Sequence, residues 1–461
     1  MEKIYDNLLE DLKGDREKYE KDYLKIKRGV DNSTAIYHGK PVPFLYQPLL
    51  FDSKDRKRLS YALNKLNSIL KKVTKRYLND KSFHKYFHFP ELMEKLILID
   101  PGYEVEYPVA RFDLFYNYND NYKFCELNTD GSSAMNEVRV FQREFRDSLI
   151  YDFLADEVNK AYNINDKDPL SGSELFYSLI DKILDNYRQY LKNSKGMSGD
   201  SQEKLTPNTA IMDFRGDGTV NEFEEFKKRF EEIGCKTVIC DPRSLEYKGG
   251  KLYYEQMQID LIYRRATTAR LVEESSEIQD FIEAYENGDV CVVGGFRSQI
   301  PHNKIIFAVL HNREAVDFLT EEEYEFIKKH IPWTVEFKAD DPQLRKKLIQ
   351  NRKKYLLKPR DLFAGKGVYV GRDYDREEWD AIIDKIAGNQ YNYLVQEFVN
   401  VPHRPMAFYE DGRLKIEEFN YIIGLFQYNQ EIEGYYARGG RENVIAAAGE
   451  SFTLPVYLIN N

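Results

Sequence analysis

The segment from Thr209 to Pro242 restricts the fold most, because an apolar stretch, an amphipathic stretch and a second apolar stretch follow one another there. They read TAIMDF, NEFEEFKKRFEEIG and CKTVICDP. Short apolar runs predict buried strands, and the middle stretch predicts a helix that ends at Gly234. Two strands joined by a helix form a parallel pair with a right-handed crossover. We therefore expect an α/β protein whose sheet is covered by helices.

The sequence predicts mainly helices before this unit and alternating strands and turns after it. Residues 1–104 are predicted to be mostly helical, with an amphipathic helix from about Asp55 to Leu78. The polar segment Asn193–Pro207 contains several helix breakers and is the best linker candidate. Beyond the unit, strands and turns alternate. With 461 residues, of which 42% are hydrophobic, the chain can form two or three cores.

Composition argues against several classes of protein. The net charge is −10 and no block of Lys or Arg stands out, so we expect no nucleic-acid partner. The first residues are too charged for a signal peptide, and no apolar run reaches membrane-spanning length. The four cysteines form no CxxC pair and the seven histidines show no HExxH spacing. These features predict a cytoplasmic protein with reduced thiols and no zinc site.

Two segments around Asn119-Asp120 predict an acidic β-hairpin. VARFDLFYN and YKFCELNTD flank this polar pair, and a two-residue loop would place Asp113 opposite Glu126 and Arg111 opposite Asn128. All four side chains would then share one face. Two facing carboxylates repel each other and favour a bound cation, and oxygen ligands without His or Cys suit Mg²⁺. The open alternative is a solvated hairpin face with an ordinary Arg–Asp pair.

A second set of residues points to phosphate. KYLLKP predicts a strand that ends near Lys358, and the loop that follows carries Gly365 and Gly367, whose backbone amides could approach phosphate oxygens. Lys304 stands where a polar stretch enters an apolar helix, a position that favours a nearby anion. The strand YLVQEFV could offer Gln396 and Glu397 to a nucleoside. Taken singly, each feature is equally compatible with an ordinary surface hairpin, helix end or edge strand.

In this order the segments resemble circularly permuted ATP-grasp ligases of the glutathionylspermidine synthase type. The matching residues are R-F-D at 111–113, E-L-N at 126–128, Y-R-R at 263–265, N-K at 303–304, L-K-P at 357–359, V-Q-E at 395–397, Gly424 and Arg438. The resemblance spans about residues 105–461. It implies a circularly permuted ATP-grasp fold with an inserted Rossmann-like domain. The implied regions are a helical N-terminal region (1–104), a metal-binding part (105–195), the Rossmann-like pre-ATP-grasp domain (207–300) and a lysine and glycine-flap part with the C-terminal core (301–461).

The resemblance also implies roles for individual residues and the cofactors ATP and Mg²⁺. Asp113, Glu126 and Asn128 would bind Mg²⁺, and Arg111 would act as the electrophilic catalytic residue. ATP would be contacted by Lys304, Lys358, Gly365, Gly367, Gln396, Glu397 and Val399. Ser132, Ser133 and Arg438 would bind the acid substrate.

The expected activity is ATP-dependent joining of a small-molecule or peptide carboxylate to an amine, which could be a polyamine, through an acyl phosphate. The chain reads ELNTDGSSAMNE where the family pattern has E-x-N-A-D-x-P-T-S, so the acid substrate stays open. Since no cysteine precedes residue 100, we expect none of these residues to form the amidase half that accompanies some relatives. Alternatives are an ATP-dependent phosphotransferase, a nucleotide-binding protein without turnover and a peptide- or protein-modifying ligase. The sequence does not decide the oligomeric state.

Overall fold

A computed structural model describes residues 1–195, 205–362, 365–388, 392–445 and 450–461. The N-terminal region is mostly helical, as predicted. Its elements are α1 (Glu2–Gly14), α2 (Arg16–Asp31), β1 (Ile36–Tyr37), β2 (Lys40–Pro41), β3 (Leu49–Phe51), α3 (Ser53–Asn79) and α4 (Glu91–Leu98). Helix α3 confirms the predicted amphipathic helix. Asp52 caps it by accepting hydrogen bonds from the amides of Lys54 and Asp55.

The next region carries the predicted hairpin and three helices. Its elements are β4 (Val109–Phe115), β5 (Lys123–Asn128), α5 (Met135–Arg146), α6 (Leu149–Tyr162), β6 (Leu170–Ser171) and α7 (Tyr177–Lys195). The first three residues of the predicted linker continue α7, and residues 196–204 lie outside the described part of the chain.

The predicted βαβ unit belongs to a parallel sheet. This region contains β7 (Thr209–Met212), α8 (Val220–Glu232), β8 (Thr237–Cys240), β9 (Leu245–Lys248), β10 (Lys251–Tyr254), β11 (Met257–Ile259), β12 (Leu261–Arg264), α9 (Thr268–Glu273), α10 (Gln279–Glu286) and β13 (Cys291–Val293). The order β13-β12-β7-β8 is parallel throughout, which confirms the prediction for this segment. Strands β9–β11 form a separate antiparallel sheet.

The remaining residues contribute strands to two antiparallel sheets, and the last strand joins a third, mixed sheet. The elements are α11 (Gln299–His302), α12 (Ile305–His311), α13 (Glu321–His330), β14 (Thr334–Glu336), α14 (Pro342–Gln350), β15 (Tyr355–Pro359), β16 (Tyr369–Val370), α15 (Arg376–Ala387), β17 (Tyr393–Glu397), β18 (His403–Glu410), β19 (Arg413–Tyr428), β20 (Glu431–Gly440), β21 (Phe452–Leu454) and β22 (Val456–Ile459). Short 3₁₀ turns occupy Lys81–Tyr86, Pro242–Ser244, Ser275–Glu277, Phe296–Ser298 and Arg352–Lys354.

The sheet order explains how distant segments meet. The central sheet runs β21-β20-β19-β4-β5, with β18 also paired to β19, so the C-terminal strands lie beside the acidic hairpin. A second sheet runs β14-β17-β15-β16 and carries the strand of Lys358. Strand β22 pairs with β3 and β6, which ties the C-terminal segment to the N-terminal half. Within the described ranges, no helix combines the length and the apolar character needed to cross a bilayer.

Candidate functional site

The acidic hairpin has the predicted pairing around its charged residues but not the predicted loop. In β4 and β5, Arg111 lies opposite Asn128 and Asp113 lies opposite Glu126, which confirms the prediction. The register then shifts, so that Leu114 pairs with Phe124 and Cys125 is the extra residue of a β-bulge. The bulge shifts the pairing by one residue beyond Asp113, and the two pairs of charged and amide residues stay opposite each other.

The predicted two-residue loop is wrong, since residues 116–122 join the two strands. Two aromatic side chains of this connection are buried instead of continuing the ladder. The hydroxyl of Tyr116 donates to Asp55 of α3 and accepts a 2.9 Å hydrogen bond from Arg58 Nη1. Tyr122 stacks on the ring of His330, with the centroids 4.0 Å apart. The contacts of Tyr116 with α3 and of Tyr122 with α13 therefore favour a longer connection over a tight two-residue turn.

Asp113 is buried among hydrogen-bond donors. Its Oδ1 accepts from Arg111 Nε at 2.7 Å and its Oδ2 from Arg111 Nη2 at 3.1 Å. Asn128 Nδ2 and Arg438 Nη2 donate to Oδ2 at 3.2 Å and 3.3 Å. Gly424, opposite Asp113 on β19, makes room for this arrangement. A Cβ atom there would lie 2.7 Å from Arg111 Cδ and 2.9 Å from Asp113 Oδ1.

Glu126 connects the hairpin to the lysine strand. Its Oε1 lies 2.9 Å from Lys304 Nζ, and the same Nζ donates to the carbonyl of Leu362 at 2.8 Å. The side chain of Asn303 donates to Asp361, so the start of α12 is attached at two points to the segment that follows Lys358. The hairpin, Lys304 and the lysine strand thus meet at one place.

The pKa values of Glu126 and Lys358 reflect this proximity. Burial raises the pKa of Glu126, but Lys304 and then Lys358 outweigh burial and bring it to about 2. Burial lowers the pKa of Lys358 and the neighbouring charge of Lys304 lowers it further, to about 8. Glu126 is therefore a carboxylate at neutral pH, whereas Lys358 loses its proton far more easily than an ordinary lysine.

The glycine loop and the hinge strand lie on the second sheet. Gly365 and Gly367 have φ of 75° and 72°, a conformation that favours glycine. Strand β15 pairs with β17, the strand of Gln396 and Glu397. The buried Gln396 side chain donates to Thr334 Oγ1 at 2.9 Å, whereas the Glu397 side chain is exposed and Val399 follows it in the next connection. Nucleotide contacts by these five residues stay predictions.

The serine turn, formed by Ser132 and Ser133 after Asn128, is attached to the site by hydrogen bonds that involve backbone carbonyls. Ser132 Oγ donates to the carbonyl of Asn128, and the carbonyl of Ser133 accepts from Arg111 Nη1 at 2.9 Å. Substrate contacts by Ser132, Ser133 and Arg438 stay predictions, although all three lie within one contact of Asn128, Arg111 or Asp113.

From the sequence, no role was assigned to several residues near the site, including the two arginines of the Y-R-R motif at 263–265. Asp130 pairs with Arg264 at 2.7 Å and Arg265 pairs with Glu222 at 3.0 Å, and both pairs are almost fully buried. They fasten the serine turn to the parallel sheet. The sequence feature that could have identified these buried ion pairs is the two consecutive arginines at the end of an apolar strand. A buried charge there is costly unless it has a partner. Glu137, His302 and Tyr436 also lie close to the site, and no local pattern marked them.

The donor set fits Mg²⁺ better than other metals. Within the described residues, no group of three or more His, Cys, Asp or Glu side chains could hold a metal. Two carboxylates and one amide oxygen supply hard ligands but too few to complete a coordination sphere. Mg²⁺ usually keeps water and shares phosphate oxygens in such sites. Arg111, Arg438, Lys304 and Lys358 lie around these ligands, so positive groups outnumber carboxylates.

Comparisons with known proteins concern the fold of the chain. A family model described as circularly permuted ATP-grasp type 2 matches residues 232–440. The glutathione synthetase-like effector GSS30 from Globodera pallida, in its apo form, is similar at a TM-score of 0.58 and 11% identity, over 96% of this chain and 98% of that chain. D-alanyl-alanine synthetase A from Vibrio cholerae has a TM-score of 0.29 and 12% identity, over 54% and 88% of the two chains. No significant match was found among curated proteins. The fold is a mixed α/β, circularly permuted ATP-grasp fold.

Proposed function

We propose, from the circularly permuted ATP-grasp fold, that this protein is an ATP- and Mg²⁺-dependent ligase that activates a carboxylate as an acyl phosphate and joins it to an amine. The contact between Lys304 and Glu126 is the observation that carries the proposal. It brings a hairpin with two carboxylates and a strand with a buried lysine into one site, where phosphate can be bound between them.

In the first step, the substrate carboxylate attacks the γ-phosphate of ATP. Such a transfer needs positioning and positive charge more than covalent help from the protein. Lys304 and Lys358 would hold phosphate oxygens. In support, both lie close enough to Glu126 to lower the pKa of its carboxylate. Mg²⁺ held by Asp113, Glu126 and Asn128 would supply further positive charge. The amides of Gly365 and Gly367 would cover the phosphates, and the segment from Gln396 to Val399 would contact the nucleoside.

In the second step, the amine attacks the acyl phosphate. Arg111 would stabilise the oxyanion that develops, since Asp113 and the carbonyl of Ser133 fix the orientation of its guanidinium. Ser132, Ser133 and Arg438 would orient the acid. Closure of the glycine loop would exclude water, which otherwise hydrolyses the intermediate.

The substrates belong to the same proposal. A glutathionylspermidine synthase-like reaction is supported by the ordered motifs from Arg111 to Arg438 and by the likeness to a protein named as a glutathione synthetase-like effector. The net charge of −10 would attract a cationic amine such as a polyamine weakly. The replaced E-x-N-A-D-x-P-T-S pattern argues that the acid differs from that of the family.

The test is ADP release by the wild-type protein with ATP, Mg²⁺ and a panel of acid and amine pairs that includes glutathione with spermidine. We expect ADP, phosphate and an amide in equal amounts for at least one pair, and loss of turnover in Glu126→Gln. Lys385→Met, a change in the exposed part of α15, is the matched control. A stable phosphorylated product would favour the phosphotransferase alternative. ATP binding without ADP release for any pair would leave a nucleotide-binding protein without turnover, and release with protein substrates alone would indicate a protein-modifying ligase.

A further inference from the structure

Glu137 in the first turn of α5 lies next to the Asp113 site but is not part of it. Its Oε2 accepts hydrogen bonds from Tyr436 Oη at 2.7 Å and from Thr453 Oγ1 at 3.1 Å. The Tyr436 ring also lies beneath the guanidinium of Arg111, with Cζ 5.3 Å from the ring centroid. One aromatic side chain therefore touches both Glu137 and the residue that would stabilise the oxyanion.

The partners of Glu137 differ from those of the other carboxylates in this site. Asp113 and Glu126 are each paired with cations, whereas Glu137 forms no ion pair with any described residue. Its two donors are neutral hydroxyls, its Oε1 receives no hydrogen bond within the described ranges, and its side chain is partly exposed. This oxygen can therefore accept a hydrogen bond from a ligand.

Burial and the groups around Glu137 act on its pKa in opposite directions. Burial raises the pKa of Glu137, while the hydrogen bonds from Tyr436 and Thr453 and the charge of Arg438 oppose burial. Glu222 of α8 is the other carboxylate that faces it. A partly buried carboxylate of this kind binds a proton more readily than an exposed glutamate.

The proposed reaction needs a proton acceptor that the residues assigned above do not supply. An alkyl amine is protonated at neutral pH, like a lysine side chain with a pKa of about 10.4. It must lose a proton before its nitrogen can attack. Arg111, Arg438 and Lys304 carry positive charge, and Asp113 and Glu126 are engaged by cations. Lys358 has a lowered pKa, but a bound phosphate would keep it protonated.

We propose that Glu137 is the general base that accepts the proton of the amine substrate, an inference that rests on the proposed ligase function. One ammonium proton moves to Oε1 of Glu137. The neutral nitrogen attacks the carbonyl carbon of the acyl phosphate, so that a C–N bond forms. The C–O bond to the phosphate breaks, and its electron pair leaves with the phosphate. The second nitrogen-bound proton leaves with the phosphate, and Glu137 returns its proton to water after product release. Tyr436 and Thr453 keep the carboxylate oriented.

The experiment compares two acceptors in Glu137→Gln, with ATP, Mg²⁺ and the acid that gives the highest rate in the panel. Hydroxylamine is unprotonated at neutral pH and traps acyl phosphates without a base, whereas spermidine needs deprotonation. We expect hydroxamate formation within threefold of wild type and spermidine ligation lowered at least about 100-fold, the usual scale of general-base catalysis. The residual spermidine rate should rise about tenfold per pH unit as the free amine becomes available.

Two further variants keep the test decisive. Glu433→Gln removes a carboxylate whose pKa burial also raises, but which faces Lys182 and Glu431, and it should leave both rates unchanged. Thr453→Val keeps the Glu137 carboxylate and removes one hydrogen bond that lowers its pKa, so the acidic limb of the pH–rate profile should move to higher pH.

Three results would overturn the inference: equal loss with both acceptors in Glu137→Gln, no loss with either acceptor, or an unshifted profile in Thr453→Val. Wild-type protein that forms neither hydroxamate nor amide with any acid would instead remove the proposed function itself.

Discussion

Two groups of charged residues that neighbour each other in the folded protein differ in how fully their charges are paired. The scaffold cluster consists of Asp130, Glu222, Arg264 and Arg265. The cationic cluster consists of Arg111, Asp113, Glu126, Lys304, Lys358 and Arg438. In the scaffold cluster the Asp130 and Arg264 side chains are 1% and 0% exposed, whereas in the cationic cluster Glu126 and Lys304 retain 30% and 15% exposure.

The difference separates a structural role from a binding role. Arg264 also donates to the carbonyls of Ala266 and Gly295, and Asp130 accepts from the Thr268 amide, so the scaffold cluster has little capacity for a ligand. In the cationic cluster, Lys358 forms no ion pair with a described residue and positive groups exceed carboxylates. An excess of buried positive charge is costly without an anion, which supports the proposal that the cationic cluster binds one.

The largest expected effect is on stability, from breaking the scaffold cluster. Arg264→Met leaves Asp130 buried without its partner, and removing one member of a buried pair typically costs about 3–5 kcal/mol. The free energy of unfolding, measured by urea denaturation, should fall by that amount. Lys358→Met in the cationic cluster is the matched change and should cost less than about 1 kcal/mol, because it removes a charge that burial disfavours. Equal losses of unfolding free energy in Arg264→Met and Lys358→Met would contradict the distinction between a structural and a binding cluster.

The next effect concerns nucleotide binding. Lys358→Met should weaken ATP affinity about 10- to 100-fold, as expected for the loss of one hydrogen bond to a charged group. Isothermal titration calorimetry with Mg²⁺ and a non-hydrolysable ATP analogue measures this change. Lys385→Met provides the control, since it removes an exposed lysine from α15. Unchanged affinity in Lys358→Met would show that the phosphates are bound elsewhere.

A smaller effect is expected from filling the space that Gly424 leaves. In Gly424→Ala the new methyl group would press on Arg111 and Asp113, and overpacking of this kind costs about 1–3 kcal/mol. The turnover number should fall more than the ATP affinity, because in the proposed mechanism Arg111 acts on the acyl group rather than on the nucleotide. Gly14→Ala, at the end of α1, tests glycine removal away from the site, since nothing lies within 4 Å of its added Cβ and its φ is not positive. Wild-type turnover in Gly424→Ala would contradict the role of Arg111.

The smallest expected effect is the uptake of less than one proton per protein molecule when the nucleotide binds. The pKa of Lys358 is about 8 in the free protein, and bound phosphate stabilises its charged form and so raises this pKa. Affinity is therefore full below pH 8 and declines as the pH rises through that value. At pH 8.5, calorimetry in buffers of different ionisation enthalpy should show proton uptake on binding. Lys358→Arg stays charged and should show none, and equal uptake in both proteins would exclude Lys358 as its source.

Some of this site could be predicted from the sequence because the information is local. The opposed pairs of Asp113 with Glu126 and Arg111 with Asn128 follow from strand alternation in two neighbouring segments. The parallel strands β7 and β8 follow from two apolar runs joined by an amphipathic helix. The bulge at Cys125 does not follow, since it depends on how Tyr116 and Tyr122 pack against distant helices.

Other features depend on contacts between segments far apart in the chain. Glu126 meets Lys304 because α11, which ends two residues before Lys304, packs against β5. Glu137 meets Tyr436 and Thr453 because α5 lies against the neighbouring strands β20 and β21. No local pattern distinguishes Arg264, which is structural, from Arg438, which lies against Asp113. The order of the short motifs could suggest a common site, but partners and burial required the folded chain.

The most direct test of the central claim is an experimental structure of the protein with Mg²⁺ and a non-hydrolysable ATP analogue. The account predicts the terminal phosphates within hydrogen-bonding distance of Lys304 and Lys358, with Mg²⁺ bound by Asp113, Glu126 and Asn128. A nucleotide bound elsewhere, with the 2.9 Å contact between Lys304 and Glu126 intact and no metal at the hairpin, would contradict it.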